Sequence, residues 1–156
     1  MTVARPDHWL WDFWLADDGR THHLFYLHAP KSLGDPDLRH RNARIGHATS
    51  TDLRNWTHHA PVFDAGPPGA FDDTANWTGS VARGPDGRWY LYYTGSHFLS
   101  AAANTNIETI GVAVSDDGRR VTRFAASAAG VRVAAVDDER VADHVVAGAR
   151  GQVDRR

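Results

Sequence analysis

The segment Ile45-Gly46-His47-Ala48-Thr49-Ser50-Thr51-Asp52 returns as Ile110-Gly111-Val112-Ala113-Val114-Ser115-Asp116-Asp117, at an offset of 65 residues. Each copy follows an aromatic run, Leu24-Phe25-Tyr26-Leu27 in the first case and Leu91-Tyr92-Tyr93-Thr94 in the second, and these runs lie 67 apart. Short apolar runs bounded by turn formers read as β-strands. Here the boundaries are Asp18-Gly19, Gly66-Pro67-Pro68-Gly69 and Pro85-Asp86-Gly87. A unit of several short strands that recurs after some tens of residues is the sequence mark of β-propeller blades, whose sheets bury their faces against neighbouring blades. Chance alignment of two segments is the alternative. If the repeat is real, the chain is all-β and holds only about two blades, whereas closed propellers take ~4–8.

Length and composition set the outer bounds. With 156 residues, 42% hydrophobic and 23% charged, the chain is one domain or part of one, and it has enough apolar surface for a core. The net charge of −2 supplies no basic field, so neither nucleic acid nor an anionic membrane is an expected partner. The absence of cysteine excludes disulfides, thiolate metal sites and cysteine nucleophiles. Neither a signal-peptide pattern nor an apolar run of ~18 residues is present, and the expected localisation is cytoplasmic. All six Trp lie in the first 89 residues, while Ala, Val and Arg make up 25 of the 38 residues from Arg119 to Arg156. The expected division is therefore 1–118, a partial propeller, and 119–156, an Ala/Val/Arg-rich tail. The first repeat continues as Asp52-Leu53-Arg54-Asn55-Trp56, but the second as Asp117-Gly118-Arg119-Arg120-Val121, without the Trp. Two readings of the tail stand: a native segment, either disordered or helical over Val131–Ala149, or the product of a change of coding frame near Gly118.

Chemistry concentrates near the start of the chain. Trp9-Leu10-Trp11-Asp12-Phe13-Trp14 sets a carboxylate among three indoles and a phenyl ring. Aromatic faces stack on the apolar faces of sugar rings, and a carboxylate beside them can attack or stabilise a sugar-derived cation. A Trp-rich strand with a solvent-facing Asp explains the same residues without chemistry. The ten His show no spacing that presets metal ligands, so loop and surface positions are expected for them, and neither a metal nor a cofactor is implied.

Three motifs carry a resemblance. Trp11-Asp12-Phe13-Trp14 resembles the nucleophile-bearing Trp-Asp-Ser-Trp segment of levansucrases, glycoside hydrolase family 68. Asn76-Trp77-Thr78-Gly79-Ser80-Val81, with the Asp86-Gly87 turn and aromatic strand that follow, is similar to the Trp-Ser-Gly-Ser motif of the same enzymes. Gly46-His47-Ala48-Thr49-Ser50-Thr51-Asp52-Leu53-Arg54-Asn55-Trp56 looks like a strand common in families 32 and 43. The resemblance covers roughly residues 9–118 and implies the N-terminal two blades of a five-bladed propeller. It implies Asp12 as the nucleophile of a retaining glycosidase, or the base of an inverting one, acting on fructosyl or arabinosyl saccharides. By the same match Thr78 holds Asp12, Trp11 and Trp77 line the pocket walls, Asp73 bonds substrate hydroxyls, and His47 points toward the channel; in a non-catalytic sugar-binding module Trp11, Trp14 and Trp77 would instead bind glycan by stacking.

The resemblance also exposes a shortfall. Glycosidases of this kind need a second carboxylate as acid. The family's Arg-Asp-Pro stabiliser is missing, since Asp35-Pro36 follows Gly34, and neither Glu108 nor Glu139 matches the family's acid. The expectation is a chain that is inactive alone. The alternative function is a non-catalytic carbohydrate-binding fragment. Unpaired blade edges suggest self-association.

Overall fold

A computed structural model describes residues 3–116 and the strand residues 122–124 of the chain. Its secondary structure starts from tight turns whose geometry the side chains impose. In the first hairpin, between β1 (His8–Asp17) and β2 (His22–Pro30), Asp18 Oδ1 accepts the backbone N–H groups of Arg20 and Thr21, and Gly19 takes a left-handed φ of 87°. Asp86 performs the same task between β5 (Ala75–Arg83) and β6 (Trp89–Ser100), accepting from the Arg88 N–H while Gly87 turns the chain.

The strands form two antiparallel sheets, each in simple sequence order. The first is β1-β2-β3-β4, with β3 at Arg44–Ser50 and β4 at Thr57–His58; the second is β5-β6-β7-β8, with β7 at Thr105–Ser115 and β8 at Thr122–Phe124. The repeat seen in the sequence is a repeat of this pairing. Leu24 faces Ala48 across β2 and β3, and Leu91 faces Ala113 across β6 and β7; Tyr26 faces Gly46, and Tyr93 faces Gly111. A β-carbon on Gly46 would strike the ring of Tyr26, so the glycine lets an aromatic side chain lie flat over the neighbouring strand.

The all-β expectation holds. β8 lies past the boundary expected at 118, because a ladder needs only backbone partners: it pairs with β7 although its sequence no longer follows the first copy. The helix expected over Val131–Ala149 lies outside the described residues.

Strand alternation divides the apolar side chains into layers. Phe25, Leu27 and Ile45 of the first sheet meet Leu91, Tyr93 and Ala113 of the second, and this inter-sheet core also takes Trp11, Trp14, Trp77 and Val81. Leu24, Tyr26 and Ala48 face the other way, with Leu10 and Trp56, and Tyr90, Val112 and Val114 do the same on the far side of the second sheet. β2 is therefore buried almost end to end, since both of its faces are covered. The outward faces also carry exposed Phe13, Leu15 and Ile110.

Candidate active site

β1 and β5, the first strands of the two sheets, lie against each other, and each contains one irregularity. In β1 the register shifts between Trp11, opposite Leu27, and Phe13, opposite Tyr26, which leaves Asp12 as the extra residue. In β5 it shifts between Trp77, opposite Thr94, and Gly79, opposite Tyr93, which leaves Thr78. A bulge of this kind re-aims the side chain of the residue it inserts. Asp12 adopts a left-handed φ of 37°, a region that Asp and Asn enter more readily than other non-glycine residues. The two re-aimed side chains meet: Thr78 Oγ1 donates to Asp12 Oδ2 at 2.7 Å. Asp12 remains exposed, at the rim of a groove of 610 Å³ bounded by Leu10, Phe13, Tyr26 and Trp56.

A short 3-10 segment, Pro36–Asn42, closes one side of this pair. It begins where Asp35 accepts the Asp37 N–H and Pro36 occupies the first turn. From it the carbonyl of His40 accepts the Trp77 indole N–H at 2.8 Å, while the His40 ring meets Trp11 edge-on at 5.8 Å. One residue thereby fixes an indole from each sheet. The Arg39 guanidinium sits 5.8 Å from the Trp11 ring centre, and Arg41 Nη1 donates to the Ala101 carbonyl at 3.0 Å. Nothing in the amino-acid sequence marks Arg39, His40 and Arg41 for this role. The signal was the Asp35-Pro36 start of the segment, but nothing local says which strands it will cover.

Among the site residues expected from sequence, the structure brings together Asp12, Thr78, Trp11 and Trp77. It places three others elsewhere. Trp14 stacks on Phe25 at 6.0 Å in the inter-sheet core. His47 is buried on β3, separated from β1 by β2, where its ring lies against Phe25 and its Nε2 is 3.0 Å from His23 Nδ1. The channel-facing position expected for His47 is thus replaced by a stack of rings, because β3 presents that side chain to the second sheet. Asp73 turns to His97, 2.8 Å from its Nδ1, and to the N–H of Gly69. Burial opposes ionisation of Asp73, yet the His97, Gly69 and Thr74 hydrogen bonds hold its carboxyl below the ordinary value. Of the two glutamates, Glu108 lies on β7 opposite Ser96, with β6 between it and Thr78, and Glu139 is outside the described residues.

The family model for the N-terminal domain of glycosyl hydrolases family 32 matches residues 14–143. The chain belongs to that family. Relatives with which this family 32 chain shares sequence include beta-fructofuranosidase 1 of Zea mays, 38% identical over 86 residues, covering 55% of this chain and 12% of the relative. The 6(G)-fructosyltransferase of Asparagus officinalis is 41% identical over 75 residues, covering 47% of this chain and 11% of that protein. The matched part therefore spans only about a tenth of each relative's length. Inulosucrase from Halalkalicoccus jeotgali, solved with kestose bound, superposes with a TM-score of 0.62 at 28% identity, over 81% of this chain and 34% of the other. Fructan 1-exohydrolase IIa from Cichorium intybus gives a TM-score of 0.60 at 22% identity, over 84% and 24%, and shares the fold. The two sheets are accordingly two blades of a partial propeller of the family 32 type.

Proposed function

We propose that this chain carries the nucleophile of a glycoside hydrolase or transferase acting on fructosyl-type saccharides. The family match begins two residues after Asp12, so the role of Asp12 rests on its motif and its geometry. The observation that carries it is the 2.7 Å bond from Thr78 to Asp12 Oδ2, made across two blades by side chains that two separate bulges re-aim. A hydrogen bond to one carboxylate oxygen favours the ionised form and fixes the group, leaving the other oxygen for the anomeric carbon. In a retaining reaction that oxygen forms a glycosyl ester as the leaving-group oxygen departs with a proton, and water or a second sugar then resolves the ester. If the outcome is inversion, Asp12 instead takes the proton of the attacking water. Retention needs the acid carboxyl ~5–5.5 Å from the nucleophile and inversion ~6.5–9.5 Å. The position of Glu108 on β7 supports the view that the acid is supplied from elsewhere, and loss of a general acid costs on the order of 10²–10⁴-fold. By this reading the chain alone does not turn over natural fructosides.

A substrate that needs no acid separates the nucleophile from a plain binding module. β-Fructofuranosyl fluoride loses fluoride without protonation, so Asp12 is expected to displace it and gain one fructosyl unit, detected by peptide mass spectrometry, whereas Asp12→Asn is not labelled. Reversible binding of fructosides, equal in both proteins and without labelling, would replace the nucleophile reading with the carbohydrate-binding one.

A further inference from the structure

One buried acid stands apart from the chemistry at Asp12. Among the described residues the only buried carboxyl group is that of Asp72, 2% exposed in the turn that leads into β5. Burying such a group is costly unless others bond to it. Asp72 Oδ2 accepts the Tyr93 hydroxyl at 2.8 Å and the Asn76 side-chain amide at 3.3 Å, and both donors are themselves buried. Glycine makes the room for this arrangement. A β-carbon on Gly95 would strike both the Phe71 ring and the Asp72 β-carbon, so these two residues lie directly on β6.

The two bonds bear on the bulge that aims Thr78. Asn76 pairs with Gly95 before the irregularity, and Gly79 pairs with Tyr93 after it. Beyond Thr78 the bulge is stopped by Gly79, which lies so close to the Tyr92 carbonyl that a residue with a β-carbon does not fit there. Before it, Asp72 ties the side chain of Asn76 to that of Tyr93 on β6, which keeps Asn76 opposite Gly95. Two residues of β5, Trp77 and Thr78, then face one of β6, Thr94, and one of the two must be left over. The His40 carbonyl holds the Trp77 indole at 2.8 Å, which keeps Trp77 opposite Thr94 and leaves Thr78 as the extra residue.

We propose that Asp72 is a positioning residue for the nucleophile: by gripping Asn76 and Tyr93 together it confines the bulge, so that Thr78 Oγ1 meets Asp12 Oδ2. This role rests on the reading of Asp12 given above. A slip of the bulge by one place returns Thr78 to the regular ladder and takes its hydroxyl off the carboxylate. Asp72 touches neither Asp12 nor Thr78 in any printed bond of this network and acts only through the strand that carries the threonine.

The test compares the rate at which β-fructofuranosyl fluoride labels Asp12 in the full chain, in Asp72→Asn, in Thr78→Val and in the double variant. Urea unfolding is the folding control, and fructoside affinity is read by ligand-observed NMR. Asparagine keeps the shape of Asp72 but sets an N–H group against one of its donors. Asp72→Asn is expected to slow labelling roughly tenfold while fructoside affinity stays within about twofold. The same change made in Thr78→Val is expected to slow labelling by less than about twofold more, because the hydroxyl through which Asp72 acts is already gone. A folded Asp72→Asn labelled at the wild-type rate overturns the proposal. So does equal slowing with and without the Thr78 hydroxyl, which would make Asp72 a general support of the fold. Should Asp72→Asn not fold, Tyr93→Phe, which removes one bond and keeps the ring, decides by the same comparison. The NMR resonance of the Asp12 carboxyl carbon gives a readout that needs no reaction, and Asp72→Asn is expected to move it toward its position in Thr78→Val. An unmoved resonance overturns the grip of Asp72; a moved resonance in a chain that the fluoride never labels keeps that grip and removes the nucleophile reading.

Discussion

The first blade and the second use one backbone pattern for two different chemistries. Asp12 and Thr78 occupy equivalent bulges, one between the partners Leu27 and Tyr26 and the other between Thr94 and Tyr93. A carboxylate in both places would set two negative charges against each other. A hydroxyl in one and a carboxylate in the other yields a hydrogen bond instead. Duplication thus provides the geometry, and divergence at a single position per blade provides a bonded pair. The same contrast recurs nearby. Phe13 follows the first bulge and is exposed, whereas Gly79 follows the second where no side chain fits. His28 fills a place in the first blade whose counterpart is Gly95, and there the ring of Phe71 and the β-carbon of Asp72 occupy the space.

The largest effect is expected at the second bulge. A β-carbon on Gly79 would collide with the backbone carbonyl oxygen of Tyr92, which has no rotamer to move away. Gly79→Ala is expected to destabilise by on the order of 3 kcal/mol in urea unfolding, while Phe13→Ala in the first blade stays within ~0.5 kcal/mol. Equal losses at the two sites would show that the bulges do not differ in this way.

Acid distinguishes the blades next. Burial, with the Arg5 guanidinium and His8 nearby, lowers the pKa of His28 to about 4. The unfolded chain, with an ordinary histidine near 6.5, binds the proton more readily, so acidification favours unfolding. The stabilisation is complete above ~pH 6.5 and is lost as pH falls toward 4, by at most roughly 3 kcal/mol. Denaturation midpoints at pH 7 and pH 4.5 measure it, and His28→Leu is expected to flatten the difference. An unchanged slope in that variant would assign acid sensitivity to other groups.

The smallest effect concerns the bond between the blades. Thr78→Val keeps the shape and removes the donor, so stability is expected to fall by about 1 kcal/mol or less at this exposed site. The same variant is expected to slow fructosyl labelling of Asp12 more than it weakens fructoside binding. A parallel loss in both would reduce Thr78 to a packing residue.

Much of the architecture is legible in the amino-acid sequence. The Ile-Gly-x-Ala strand and its aromatic partner recur because each blade needs the same alternation of ring and glycine, and Asp18, Gly19, Asp86 and Gly87 mark hairpins by their local hydrogen-bonding and φ preferences. The Trp-Asp-Phe-Trp and Trp-Thr-Gly-Ser stretches pointed to the pair at the site. The role of the 3-10 segment was not legible, since Arg39, His40 and Arg41 act on strands that lie close only after both blades have packed. Nor was the position of His47, because alternation says that a side chain changes face at each step but not which face meets another sheet.

Strand identity, turn positions and the two-blade repeat follow from interactions between residues near in the chain, and these the amino-acid order determines on its own. The meeting of Asp12 with Thr78 and the clamp of His40 on two indoles depend on contacts across dozens of residues. Those were decided by packing of the inter-sheet core, which sets how the blades face each other and therefore where two locally modest bulges aim their side chains.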